Sequence, residues 1–444
     1  MKNKTIIFNF FCIWVFLLVF FSCSKKEEVS ESLDINYSSI DEEVAVVSPE
    51  ELAKQMYEKG LADFVNNLSL KEKIGQMFLV TIGGTDFSDS YYSLENFITP
   101  GGYLLFSYNF IDGKQGIDFT ADIENWYSKN NLIKPYFSLD QEGGLVNRLR
   151  NVASPLPSAN SIAKFLSPAL AKKIYDFAGK QLRALGIHVN LGPVVEVLTE
   201  DNKIFLDTRS FGDKEKVAVY SEIFINSMIE NGVYPVVKHF PGNNADDPHF
   251  GLPIIDFDIE KAEDILFYPF KSVKSKNNLG VLVAHSVVPA LFDENEPIPS
   301  CLSERVVTDI LNKQLGYSGL IFSDDLLMAA LQNNGYDSIK AITMAIKAGV
   351  NVLMISQKEY IPFINEIADF CKNDEEILDK INQSVTKIID FKIKHGLLEY
   401  KEGAIFLPEA LSEEQLAQNK ENAYENFQEA YDLGNDFYKM YWAN

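Results

Sequence analysis

Eight short apolar runs recur along the chain, at residues 77–82, 103–107, 136–139, 187–191, 234–237, 281–284, 320–323 and 350–355. They are continuous rather than alternating, the pattern of strands buried on both faces. Between most of them lie segments of helical periodicity, at 172–185, 216–230, 259–273, 304–315 and 338–347. Several of these close on a glycine (Gly186, Gly232, Gly316, Gly349), as helix ends do. Upstream, a helix is expected over about 49–66, and Ser69-Leu70-Lys71-Glu72 is a capping-box pattern opening the next one. Eight buried strands alternating with helices predict an α/β protein whose parallel sheet closes into a (β/α)8 TIM barrel over residues 49–398. The alternative is an open doubly wound sheet. That fold usually carries a Gly-rich turn after its first strand, and Gly83-Gly84 alone is a weak version of it. Residues 399–444 form a tail with Leu, Phe and Tyr at mixed spacing, expected as one or two helices between 411 and 438. They pack on the barrel or bridge to a partner, and are too short for a second catalytic domain.

Composition narrows the function. The chain has 444 residues, and its 40 basic against 63 acidic side chains leave a net charge of −23. A nucleic-acid partner needs a basic footprint and is excluded on that ground, whereas a neutral sugar is not. The N-terminus stands apart from the fold. Lys2 and Lys4 precede an almost wholly apolar stretch from Ile6 to Phe21, the layout of a secretory signal. The run ends in Phe20-Phe21-Ser22-Cys23, which resembles a bacterial lipoprotein processing site. The resemblance implies removal of residues 1–22 and acylation of Cys23; the alternative is an uncleaved anchor helix. Residues 23–48 are polar and acidic and read as a disordered tether. The expected location is therefore outside the inner membrane, lipid-anchored on the periplasmic face or the cell surface. Four cysteines, of which Cys12 leaves with the signal and Cys23 carries lipid, give no disulfide framework, so the core must carry stability. No Cys/His spacing suggests zinc, no cofactor is expected, and the chain is expected to be a monomer.

The chemistry-bearing residues gather after the strands, where barrel enzymes build their sites. Asp140-Gln141-Glu142-Gly143-Gly144, with Arg148 four residues on, follows the third strand. Arg209-Ser210-Phe211-Gly212 lies in the loop after the fourth. Lys238-His239-Phe240-Pro241-Gly242 ends the fifth, and Asp247-Pro248-His249 comes soon after. His285 follows the sixth strand and Asp324-Asp325 the seventh. Asp247 is placed to orient His249 and raise its basicity for proton transfer. Lys238 and His239 suit sugar hydroxyls. Asp325 reads best as a helix cap, and Glu142 holds the Gly143-Gly144 turn or meets substrate. His285 is a sugar contact or a satisfied core histidine.

Taken together, Leu70-Lys71-Glu72-Lys73-Ile74-Gly75-Gln76-Met77, the Asp140 and Arg209 motifs, Lys238-His239-Phe240-Pro241-Gly242, Asp247-x-His249 and Gly319-Leu320-Ile321-Phe322-Ser323-Asp324-Asp325-Leu326 resemble glycoside hydrolase family 3. They are most similar to its single-domain bacterial β-N-acetylglucosaminidases. The resemblance runs from about residue 68 to 396. It implies retaining hydrolysis of a β-linked amino-sugar oligosaccharide or muropeptide, with Asp324 as nucleophile, His249 held by Asp247 as acid/base, and Asp140, Arg148, Arg209, Lys238 and His239 around the sugar. Family members with a second domain take their acid/base from it; here the acid must lie on the barrel. The chain departs from the pattern at Asn243-Asn244, Pro248, Leu145, Tyr108 and Asn312. Other β-glycosides, phosphorolysis, or a catalytically weakened sugar-binding lipoprotein remain as alternatives.

Overall fold

A computed structural model of the chain describes residues 48–87, 97–246, 251–292 and 297–442. The signal segment, most of the tether, Cys23, Asp247, Pro248 and His249 lie outside the described residues. Eight parallel strands form the centre: β1 (Phe78–Thr81), β2 (Gly102–Leu104), β3 (Tyr136–Leu139), β4 (Val189–Asn190), β5 (Tyr234–Phe240), β6 (Gly280–Val283), β7 (Ile321–Ser323) and β8 (Leu353–Ile355). Each pairs with its sequence neighbour, and β8 returns to pair with β1. A parallel bridge from Phe322 to Val352 joins β7 to β8 and closes the ring. This is the predicted barrel, and all eight expected strands are present.

Burial explains why the strands form where they do. All seven residues of β5 are buried, as are all four of β1, β3 and β6, so these runs exclude polar side chains except where a partner waits. The helices are started by their sequences. Ser69 and Glu72 make both bonds of the expected capping box, Glu72 Oε2 accepting from Ser69 N–H at 2.7 Å and Ser69 Oγ from Glu72 N–H at 3.3 Å. Asp112, Asp213, Asp337 and Asp374 each accept from the first turn of a helix, satisfying donors that the helix itself cannot.

Of the boundaries that differ from expectation, two matter at the rim. The fifth strand continues three residues past Val237, so Lys238 and His239 sit within β5 rather than in a loop; the Lys238–His239 peptide is cis. The second strand stops at Leu104. The Asn109 side chain accepts from Phe106 N–H and donates to the carbonyls of Ile82 and Gly84, curling the chain into a short 3-10 turn at Ser107–Asn109.

The tail is a small hairpin, Glu399–Lys401 with Ala404–Phe406, followed by one long helix, Glu413–Tyr441. This helix packs along the barrel helices Pro168–Ala184 and Gly113–Lys129. Its own Phe427 and Phe437 are buried, and its Lys420 Nζ reaches Asp122 at 2.7 Å. The tail is therefore barrel cladding, as one of the two expected placements had it. Cys301 and Cys371 are both buried and free. No described helix is long and apolar enough to cross a membrane.

Candidate active site

The rim beyond β3, β4 and β5 carries one connected set of charges. Lys238 Nζ lies 2.7 Å from Asp140 Oδ1 and 2.6 Å from Glu142 Oε1. Arg209 grips Glu142 with two parallel bonds, Nε to Oε2 and Nη2 to Oε1, each 2.9 Å. Arg148 Nη2 donates to Asp140 Oδ2 at 3.1 Å. Lys238 and Glu142 are almost wholly buried, so neither charge would persist there alone. Burial on its own would raise both carboxyls. The Lys238 ammonium, with Arg148 for Asp140 and Arg209 for Glu142, overrides that and holds each below the usual carboxylate range. Burial would likewise lower Lys238, but Asp140 and Glu142 outweigh it and raise the ammonium above its ordinary value.

Local structure aims these groups. Gly143 and Gly144 turn the hairpin Gln141–Gly143/Val146–Asn147 at φ of 97° and 58°. A Cβ at Gly143 would stand 2.3 Å from Pro157 O, and one at Gly144 2.5 Å from Ser158 Cβ, so only glycine fits the turn that delivers Arg148. The long loop after β4 is drawn back to the rim by Ser210 Oγ donating to Glu196 O at 2.6 Å and Leu198 N–H donating to Gly212 O at 2.8 Å. That closure returns Arg209 to Glu142. The carboxylate of Glu142 is thus committed to cations, not to the glycine turn that sequence allowed it.

His239 is buried with Nδ1 2.6 Å from Glu196 Oε1 and Nε2 3.5 Å from Arg209 Nη2. A carboxylate only accepts, so Nδ1 carries a proton. Glu196 was not singled out from sequence. Its signal was a lone acid in the otherwise apolar run from Val194 to Leu198. It accepts from Asn243 N–H at 2.7 Å and from His239 N–H at 3.3 Å as well, and so ties the end of β5 to the loop that leaves it. Asn244 Nδ2 donates to Ile254 O at 2.9 Å, and Ile254 bridges to Val287. The two asparagines at which the chain departs from the family pattern therefore fasten the described chain just before residue 247, one to Glu196 and one to Ile254. Two further residues escaped notice. Phe205 packs edge-on to His239 at 6.1 Å with Arg209 over its ring, and Phe106 lies under Arg148 and stacks on the exposed Tyr108.

Asp324 stands directly after β7, four strands round the ring from β3, the widest separation an eight-stranded barrel allows. Its backbone N–H donates to Val283 O at 3.0 Å, and Oδ1 accepts from Asp325 N–H at 2.8 Å. Among the described residues it forms no ion pair. The cations of the rim belong to the β3–β5 arc, where Asp140 and Glu142 hold them. Asp325 is not a helix cap. Its Oδ1 accepts from Leu327 N–H and Ser356 N–H, bracing the turn against the segment after β8, and burial pushes its carboxyl up.

His285 is buried with both ring nitrogens engaged: Nε2 lies 2.9 Å from Asp325 O and Nδ1 3.2 Å from Cys301 Sγ. No nitrogen is left for a sugar hydroxyl, so of the two readings open from sequence the geometry gives the satisfied histidine.

The chain matches the glycosyl hydrolase family 3 N-terminal domain over residues 69–391. It belongs to glycosyl hydrolase family 3. It is thus a glycoside hydrolase, and the barrel is that family's catalytic fold. It is 32% identical over 266 residues to the β-hexosaminidase of Nitrosomonas eutropha, covering 57% of this chain and 73% of that protein. It is 27% identical over 336 residues to β-hexosaminidase LpqI of Mycobacterium tuberculosis, covering 73% and 83%. The structure of a family 3 β-N-acetylglucosaminidase from Paenibacillus sp. str. FPU-7 superposes with a TM-score of 0.66 at 25% identity, over 81% of this chain and 69% of that one.

The charge network predicts a specific acid response. Glu142 and Asp140 titrate lower folded than unfolded, so the unfolded chain takes up their protons first. Their contribution to stability is complete above about pH 5 and is lost as pH falls through the carboxylate range, about 4 for the unfolded groups. Denaturant midpoints should drop between about pH 5 and pH 3, and Glu142→Gln should flatten that dependence. An unchanged slope in the variant would contradict the pairing.

Proposed function

We propose that the enzyme releases terminal non-reducing β-N-acetylglucosamine residues with retention of configuration. The observation that carries this reading is the division of the mouth into two halves. On one side β3, β4 and β5 present Asp140, Arg148, Lys238, Arg209 and His239 as a rigid, pre-paired set of donors and acceptors. On the other, β7 presents a carboxylate that these cations do not claim. A pyranose bound by the first set turns its anomeric carbon toward the second. The β-hexosaminidase and β-N-acetylglucosaminidase relatives support an N-acetylated amino sugar as that pyranose.

In this mechanism Asp324 attacks the anomeric carbon as the glycosidic oxygen departs, and the resulting glycosyl ester is opened by water. His249, oriented by Asp247, protonates the leaving oxygen and later takes the proton from water. Asp140 is only partly buried and keeps lone pairs toward the mouth, so it accepts from a hydroxyl while Lys238 and Arg148 fix it. Pre-pairing means these groups need not reorganise when the sugar arrives, which favours turnover over uniform tight binding. Export signals at the N-terminus make cell-wall fragments the natural source of substrate.

A 5-fluoro glycosyl fluoride of N-acetylglucosamine, which keeps the 2-acetamido group, should label Asp324, read by mass spectrometry of the modified peptide. A label elsewhere, or none while turnover continues, would refute the nucleophile. His249→Ala should slow substrates with poor leaving groups far more than aryl glycosides with acidic phenols, because only the former need the proton. Equal losses on both would remove His249 from the acid role.

A further inference from the structure

We propose that His285 and Cys301 form a positioning couple for the nucleophile, with the Cys301 thiol fixing the imidazole that clamps the Asp324-Asp325 turn. This rests on the reading of Asp324 as nucleophile and adds to it two residues with no contact to the sugar.

The bonding roles follow from what each atom can do. The carbonyl of Asp325 only accepts, so at 2.9 Å His285 Nε2 must carry the proton and donate it. A neutral imidazole protonated at Nε2 has an acceptor at Nδ1. Cys301 Sγ, 3.2 Å away, supplies the donor through its thiol hydrogen. Burial first, and the nearby Asp324 carboxylate second, push the thiol well up, so it stays protonated and keeps its hydrogen to give. The relay therefore runs one way: thiol to Nδ1, Nε2 to the carbonyl of the residue beside the nucleophile.

The surroundings make this couple stiff. His285 follows β6 and is buried to within 1% of full coverage. Cys301 N–H donates to Ala284 O at 3.1 Å, and Ser300 N–H and Oγ both donate to Ser286 O, at 3.0 and 2.6 Å. The segment carrying the thiol is thus sewn to the segment carrying the imidazole. The same β6 end receives Asp324 N–H at Val283 O and sends Ser286 Oγ to Gly242 O at 2.7 Å, which links it to the end of β5. On the other side, Asp325 Oδ1 takes Ser356 N–H. The nucleophile turn is thus held on the β6 side through Val283 O and His285 and on the other through Ser356 N–H. Rotation of the Asp325 peptide would swing the neighbouring side chain. At the carbonyl that rotation is opposed by His285 Nε2 and by Met328 N–H at 3.1 Å, the imidazole being the side-chain member of the pair.

The test compares His285→Ala, Cys301→Ala and Cys301→Ser with the full-length enzyme. The readouts are the rate of covalent labelling by the 5-fluoro glycosyl fluoride of N-acetylglucosamine and the affinity for free N-acetylglucosamine by calorimetry. His285→Ala should slow labelling by roughly 10- to 100-fold, the scale of a small misplacement of a reacting group, with affinity for the free sugar unchanged. Cys301→Ala should slow labelling in the same direction, and Cys301→Ser, which keeps a donor, should restore it. The serine–alanine comparison stands even if His285→Ala does not fold. The couple is refuted if sugar affinity falls in step with labelling in His285→Ala, or if Cys301→Ser and Cys301→Ala label alike. Wild-type enzyme that turns over without labelling Asp324 would overturn the underlying functional reading instead, and is recognised before any variant is made.

Discussion

The ammonium of Lys238, set between the carboxylates of Asp140 and Glu142, is the contact on which the candidate site depends. Two carboxylates so close to one cation repel each other strongly without it; unit charges about 4 Å apart interact by roughly 4 kcal/mol at a protein-like dielectric. Removing one member of a buried set of this kind leaves an uncompensated charge, at a cost of about 3–5 kcal/mol. Lys238 can reach both acids because β5 runs on past the point where its apolar pattern ends. Its neighbour His239 is then carried into the reach of Glu196. A single strand extension thus joins the loops after β3, β4 and β5 into one surface.

That arrangement gives the two sides of the mouth different electrostatic characters. The β3–β5 arc is crowded and internally neutralised: Arg148, Arg209 and Lys238 answer Asp140 and Glu142, and Glu196 takes His239. It presents hydrogen-bonding groups of fixed direction rather than a bare field, which suits an uncharged sugar in a chain whose net charge is −23. Across the ring, Asp324 is held through its backbone and by its own turn. On the proposed reading of Asp324 as nucleophile, the separation of the cations from β7 leaves its carboxylate unneutralised.

Much of this was legible in the sequence because the barrel imposes simple patterns. Strands buried on both faces read as unbroken apolar runs, and all eight were visible. Asp140, Arg148, Arg209, Lys238 and His239 were visible because they punctuate the ends of those runs, where a core has no use for charge. Glu196 was not, since it sits among valines and looked like part of the strand's apolar continuation. Its acceptor bonds from His239 in β5 and from Asn243 just beyond exist only once β5 lies beside it and the chain after β5 folds back. The partner of His285 was hidden for the same reason: Cys301 is sixteen residues away, and nothing local announces that the intervening chain returns beside β6. The position of Asp324 relative to the cations depended on strand order around a closed ring, which periodicity alone does not supply. Asn243 and Asn244 read as departures from a pattern. In the fold they are fasteners, one to Glu196 and one to Ile254.

The central claim is that one sugar bridges the paired arc and the opposed carboxylate. The most direct measurement is a crystal structure of the enzyme with N-acetylglucosamine bound. The account predicts sugar hydroxyls on Asp140, Arg148 and Lys238 and the anomeric carbon within about 3–3.5 Å of an Asp324 oxygen, the spacing of a near-attack geometry. A sugar held by the arc with its anomeric carbon turned away from β7, or one seated elsewhere on the barrel, would contradict it.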